Sequence, residues 1–376
     1  MVAISMITLV GMASLTIDVA TMYRARAEAQ AAADSAAMAA AWRLMDNDAL
    51  SGTPDMFDEI NNARTTAAQI AAMNEIINEG PVLQLNAGND VSGDIVIGYL
   101  SNPNDPNEVL NFDDPNTFNT VKVMVHRDDT GNGPIELFFA GIFGVATANV
   151  TASAFASFRN DVGGFQVYEG GPNAGLLPFT LHRDAWNGLM DGTWSTGDNF
   201  SYDPDTDTVS AGPDGIPEIN VFPGSGTMQL PSGNFGTVDF GNSNNSTADL
   251  SRQILEGLNS DDLSYFDGTL ALGEDGTLVV NGDTGLSAGI KDELAAIIGM
   301  PRTIALFEDV TGNGNNAIYT ITGFVGIRIM SVQLTGPPAD KGLIMQPAFV
   351  IDGTAIANTN SAGTGSFVYR PVELIR

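Results

Sequence analysis

Met1–Ile17 reads MVAISMITLVGMASLTI, seventeen positions without a charged side chain. The run RARAEAQAAADSAAMAAAWRLM follows a few residues later, alanine-rich, with neither Gly nor Pro through Met45 and with Arg24 and Glu28 four residues apart. Alanine is the strongest helix former, and an ion pair at that spacing reinforces a helix. The pattern therefore predicts one helix over about residues 3–45, roughly 60 Å long at 1.5 Å per residue. The uncharged run, extended past Asp18 to Tyr23, has the length of a bilayer span. Its first half is expected in lipid and its second half in water.

Ser51–Pro54 ends this region, and Asn62–Glu79 predicts a second helix with Ala63, Ala67, Ile70, Met73 and Ile77 on one face, stopped by Gly80-Pro81. Beyond it the period falls to two. Asp94–Leu100, Val121–Val125 and Val150–Phe158 are predicted strands, with Val121, Val123 and Val125 sharing one face. Residues 1–160 thus suggest a long helix laid on a small antiparallel sheet. From Asn160 Gly, Asn, Asp and Pro become dense, and Asn160–Gly175 reads as a linker. Short strands dominate thereafter, with helices expected at Asp249–Leu258 and Leu286–Ile298, a strand pair over Ile318–Leu334, and strands at Ala348–Ile356 and Ser366–Leu374. The fold class is α+β, divided into a helix at 1–23, a helix-plus-sheet module at 24–160 and an acidic β-rich domain at 161–376.

Charge sharpens that division. The 376-residue chain has 15 Lys and Arg against 45 Asp and Glu, a formal charge of −30, yet residues 1–44 contain three of each sign. The body therefore carries the whole excess. A surface this acidic repels phosphate, which excludes nucleic acid as a partner. With no cysteine, disulfides, thiolate metal sites and cysteine nucleophiles are excluded. A cleaved signal peptide would need a basic start that the sequence lacks, and a buried core helix is the other alternative to a span. Arg24 and Arg26 follow the apolar run, so the positive-inside rule alone would put the body in the cytoplasm.

The stretch LVGMASLTIDVATMYRARAEAQAAADSAAMAAA resembles the N-terminal module of TadG-like proteins of the tight-adherence (Tad, or Flp) pilus assembly system. The matching positions are Ile17, Asp18, Val19, Tyr23, Arg24, Arg26, Gln30, Ala32, Ala33, Asp34, Ala36 and Ala37. The stretch from Val121 to Phe158 is similar to the family's strand, apolar Leu-Phe-Phe segment, Gly and Val-x-Ala-x-Ala strand. The family's Arg-Arg-Gly-type start is absent here, and no Asp-x-Ser-x-Ser loop supports the von Willebrand A-type domain that such proteins often carry. The resemblance implies a single-pass protein of the cytoplasmic membrane with its body outside. Its partners would be the lipid bilayer and other assembly proteins or pilin subunits, met through the N-terminal helix. Leu9, Gly11, Ile17, Asp18, Tyr23, Arg24, Arg26 and Asp34 are the candidate membrane and assembly residues. Asp18 reads either as the point where the span leaves lipid or as a contact for another helix. The face Ala25, Ala29, Ala32, Ala33, Ala36 and Ala40 would let helices approach closely. A filament subunit is the alternative, although Ser5 stands where type IV pilins usually carry Glu.

Candidate chemistry is sparse. Asp203, Asp205 and Asp207, with Asp214 further on, alternate as Ca²⁺ ligands do in a loop, but Thr208 stands where an EF-hand needs Gly. The alternative is a solvated acidic loop, and no other cofactor is expected. Gly312-Asn-Gly314 precedes a strand pattern, so it reads as a turn rather than a dinucleotide fingerprint, like DDTGNG at 128–133. His126 and His182 lack a nucleophile motif nearby and read as structural residues. The sequence reading is a non-enzymatic pilus assembly or anchoring component; an anchored Ca²⁺-binding surface protein is a third option.

Overall fold

The computed structural model describes residues 2–45, 50, 56–195, 197–222, 234–241, 246–337, 340–358 and 365–375, with the side chains of 2–10, 13, 365 and 366 outside the description. Two compact units emerge: one is Met1–Asp46, Asp55–Phe158 and Val372–Arg376, the other Asn47–Pro54 with Arg159–Pro371. The segment Val372–Arg376 thus belongs to the first unit.

In the first unit helix α1 runs unbroken over Val2–Arg43, as the alanine-rich pattern predicts. Helix α2 is Phe57–Met73. Strands β1 (Ile95–Gly98), β2 (Thr120–Arg127) and β5 (Val150–Arg159) form an antiparallel sheet in the order β1-β2-β5, with β5 ending at the unit boundary. Between β2 and β5 lies a small ribbon, β3 (Ile135–Glu136) paired with β4 (Thr147–Ala148). Beside β5 runs the chain's end, where the Ile375 N–H donates to Phe155 O at 3.0 Å.

The face of α1 bearing Ala25, Ala29, Ala32, Ala33, Ala36, Ala37, Ala40 and Ala41 is wholly buried. It packs on α2, whose Ala63, Ala67 and Ala71 are equally buried, and on β2. Small side chains let the backbones close in, so the alanine face serves this unit's own core rather than a helix of another protein. The second half of α1 therefore lies against its module instead of standing in water.

One expectation about the helices is not supported, and another needs correction. Among the described residues no helix is long and apolar enough to cross a membrane. The side chains of 2–10, over which much of the expected span runs, lie outside the description, and from Ala25 onward the buried face belongs to the protein core. Helix α2 ends at Met73, six residues before the predicted stop. Asn74 turns outward from the helix, and Ile77 and Asn78 take φ of 49° and 68° in a tight turn. Arg127 holds that turn, donating to Ile76 O at 3.1 Å and pairing with Glu79 at 3.0 Å.

The second unit contains β6 (Val162–Gln166), β7 (Leu176–His182), α3 (Arg183–Met190), the hairpin β8–β9 (Phe200–Asp203, Thr208–Ala211), β10 (Ile219–Asn220) and β11 (Phe235–Val238). After these come α4 (Thr247–Glu256), α5 (Ser260–Leu263), β12 (Thr269–Ala271), β13 (Leu278–Asp283), α6 (Lys291–Ala296), β14 (Pro301–Thr311) and β15 (Ala317–Gln333). β16 (Gly342–Pro347), β17 (Val350–Ile351), β18 (Ala355–Ala357), β19 (Gly365–Ser366) and β20 (Val368–Leu374) complete the set, the last crossing into the first unit. Strand β6 lies within the predicted linker.

Pairing closes a ring: β15 pairs β13, β13 pairs β11, β11 pairs β7, β7 pairs β14, and β14 pairs β15. Only β7–β14 is parallel in this five-stranded barrel. Closure removes the exposed edges of these strands. Tyr319 is fully buried and crosses Gly236, where a Cβ would lie 2.1 Å from its hydroxyl oxygen, so that position admits no side chain. The expected strand pair over Ile318–Leu334 is instead the single strand β15, turned from β14 at Gly312 and Gly314, both at positive φ. That turn matches the hairpin reading of the Gly-Asn-Gly string.

Candidate functional site

The described part of α1 is uncharged from Gly11 to Ile17, and Asp18 then interrupts it. Its side chain is only 3% exposed. The carboxylate accepts the backbone N–H of Phe138 at 2.8 Å, of Phe139 at 3.0 Å and of Ala140 at 2.6 Å. These open a one-turn 3₁₀ segment, Ala140–Phe143, in the loop Leu137–Val145 between β3 and β4. Orphan donors at the start of a helical turn are well matched by a carboxylate. One side chain thus fastens an apolar loop to an apolar helix.

Large apolar side chains stand exposed beside this fastening. On α1, Met12, Leu15, Val19 and Tyr23 follow one another at spacings of three and four residues, 45–68% exposed. That spacing puts them on one stripe beside Asp18. In the loop, Phe138, Ile142, Phe143 and Val145 are 53–80% exposed. Large apolar side chains clustered in the open mark an interaction surface far better than single ones do. A Cβ at Gly11 would meet nothing within 4 Å, so that glycine makes no close packing contact here. Ile17 is exposed on another side of the helix, and the side chain of Leu9 lies outside the described residues.

Further along α1 the predicted residues act locally. Arg24 pairs with Glu28 at 2.6 Å, and the other Glu28 oxygen accepts the Ile77 N–H at 2.8 Å, tying α1 to the turn after α2. Burial pushes the Glu28 carboxyl up, but the Ile77 N–H and the Arg24 guanidinium outweigh it and hold it below the usual value. Asp34 accepts from Gln30 at 2.7 Å, and Gln30 also donates to Ser153 O on β5 at 3.1 Å. Arg26 is exposed.

Three of the four candidate acidic residues of the second unit order their own hairpin and its flank. Asp203 accepts the Asp205 N–H at 2.9 Å, Asp207 accepts the Tyr202 hydroxyl at 2.6 Å, and Asp214 accepts the Ile216 N–H at 3.0 Å. Among the described residues, no group of three or more acidic or histidine side chains is arranged to hold a metal ion. His182 accepts the Asp184 N–H at 3.1 Å and caps α3, while His126 lies 3.8 Å from Asp94 and 3.4 Å from Asp128.

The sequence shows the loop Leu137–Val145 only as an apolar segment, and its pairing with Asp18 is what sequence reasoning missed. The signal was present: nine residues, LFFAGIFGV, without a charge, beside a lone Asp in an apolar helix 120 positions away.

The first unit therefore defines a class: a long helix seated on an antiparallel sheet by its alanine face, with an apolar end left uncovered by its own fold. Residues 19–156 match the family model Tad_C, described as putative Tad-like Flp pilus-assembly, so this stretch of the chain is similar to that family. The match covers most of the helix-on-sheet unit from Val19 onward, including the apolar loop but not Met12, Leu15 or Asp18, and none of the barrel. No curated protein and no solved structure matches the chain.

Proposed function

We propose that this chain is a non-enzymatic assembly or anchoring component of a Tad/Flp pilus, attached to the cytoplasmic membrane through the apolar end of α1 with its acidic body on the extracytoplasmic side. One observation carries the reading: on the helix that leads into the Tad_C-like stretch, Met12, Leu15, Val19 and Tyr23 form an exposed stripe. Leaving four large apolar side chains in water forfeits on the order of 1 kcal/mol or more each, a penalty that an attachment surface recovers. The sequence upstream of the stripe is also uncharged. The mechanism is binding and positioning, without covalent chemistry.

A filament subunit is the second reading, favoured by the three-and-four spacing of the stripe, which suits packing between helices. Intact mass of the native protein in washed membranes and in filaments sheared from cells separates the two. Full-length protein confined to membranes supports the assembly component. Enrichment in sheared filaments makes it a subunit and refutes the anchoring role.

A further inference from the structure

We infer that the loop Leu137–Val145 is a second lipid-inserting element, held by Asp18 at the depth of the apolar stripe on α1; this rests on the attachment reading above. Three features of the loop point to hydrocarbon rather than to a polar partner. It has no charged side chain, and its exposed large side chains are those of Phe138, Ile142, Phe143 and Val145. Seven of its nine backbone N–H groups are already satisfied: those of Phe138, Phe139 and Ala140 by Asp18, and those of Leu137, Ile142, Gly144 and Val145 by carbonyls within the loop and its neighbour Ala146. A turn in water has no need to satisfy its donors internally, whereas one entering lipid has no other source of partners.

The charges around the patch fit the same occupant. Asp18 is the one ionisable group between Gly11 and Tyr23, and it is turned inward onto three N–H groups. Arg26 is exposed and falls almost in line with Leu15 and Val19 on the helix, since eleven and seven residues are close to whole numbers of turns. Along the axis Leu15 lies about 16 Å from Arg26 and Val19 about 10 Å. Apolar residues, then Tyr23, then an arginine is the order of hydrocarbon, interface and phosphate in one leaflet. In a chain of net charge −30, an exposed arginine at this edge complements lipid phosphate, whereas the acidic body is repelled by it. A second copy of the chain would instead bring apolar patch to apolar patch and leave Arg26 without a counter-charge from that partner.

The absence of cysteine makes the test clean. Single variants Phe143→Cys, Leu15→Cys and Val109→Cys of the full chain are labelled with an environment-sensitive fluorophore and mixed with phosphatidylcholine–phosphatidylglycerol vesicles. Val109 is a highly exposed control in the same unit. The expected result is a blue shift with severalfold brightening at positions 143 and 15, quenched by lipid-borne quenchers, and no change at 109. A shift at 15 alone overturns the loop's role and leaves the attachment reading intact; a shift at 143 alone supports the loop and overturns attachment through α1. No shift at either site overturns both. A shift at 143 without vesicles that grows with protein concentration assigns the patch to a second copy and overturns the lipid assignment. Adding Asp18→Asn is expected to diminish the response at 143 while keeping that at 15, and an undiminished response at 143 overturns the fastening. Arg26→Ala is expected to weaken partitioning about fivefold; unchanged partitioning overturns the phosphate contact.

Discussion

Replacing Asp18 with alanine removes the single acceptor that holds three consecutive backbone N–H groups of the loop, at 2.6–3.0 Å. A hydrogen bond to a charged group contributes about 1.5–3 kcal/mol. The three do not simply add, because they share one carboxylate and because the loop is open enough for water to replace part of what is lost. A local loss of about 3 kcal/mol follows, or roughly a 150-fold rise in the opening equilibrium of the loop. The unit's core lies elsewhere, under the alanine face of α1, so global unfolding changes by less than the local figure. Hydrogen exchange followed amide by amide reads this directly. In the parent chain, in detergent micelles, the amides of Phe138, Phe139 and Ala140 are expected to be protected, and in Asp18→Ala to exchange about two orders of magnitude faster. Amides in β2 and β5 keep their rates. Exchange at the three positions within a factor of about three of the parent would refute the fastening.

Three further outcomes follow from the packing and the charges. Ala36→Leu inserts three carbons into the fully buried alanine face and should destabilise the helix-on-sheet unit by about 1–3 kcal/mol in a urea melt; an unchanged midpoint would show that the face is not close-packed. Asp239, buried and facing Asp249 and Asp262, is pushed up to about 6, first by burial and then by those two carboxylates. A raised carboxyl stabilises only while protonated, so its contribution is present below the ordinary value of 3.8 and is lost as pH rises through about 6. Asp239→Asn should therefore gain up to about 3 kcal/mol at pH 7.5 and nothing near pH 3, and a pH-independent difference would contradict the assignment. Millimolar Ca²⁺ should leave the melting temperature unmoved, because Asp203, Asp207 and Asp214 accept from their own hairpin and its flank; a clear rise that Asp205→Ala abolishes would reverse that.

The first 45 residues were readable because a helix announces itself through local propensity, and nothing between Gly11 and Met45 breaks it. The strands β2 and β5 were readable because each buries alternate residues on one face. The end of α2 was not. Met73 fits the apolar period yet is exposed, and the left-handed Ile77 is a conformation that a β-branched residue rarely takes. It is held there by long-range contacts from Glu28 and Arg127 to the turn. The closure of the barrel was equally hidden, since β7 and β14 pair in parallel across more than a hundred residues and no local pattern encodes that partner. Asp18 shows the limit most plainly. A carboxylate in an apolar helix signals that something must satisfy it, but the sequence does not say whether headgroups, another helix or three N–H groups of a distant loop do so.

The central claim is that the exposed stripe on α1 is what this protein works through, and pilus production in the native strain tests it most directly. The double variant Leu15→Arg/Val19→Arg places charges on the stripe without touching the buried alanine face, so the protein should accumulate folded at parental levels. The account predicts that cells carrying it as their sole copy lose sheared surface filaments while retaining the folded chain. Filaments at the parental level, with the variant present and folded, would contradict it.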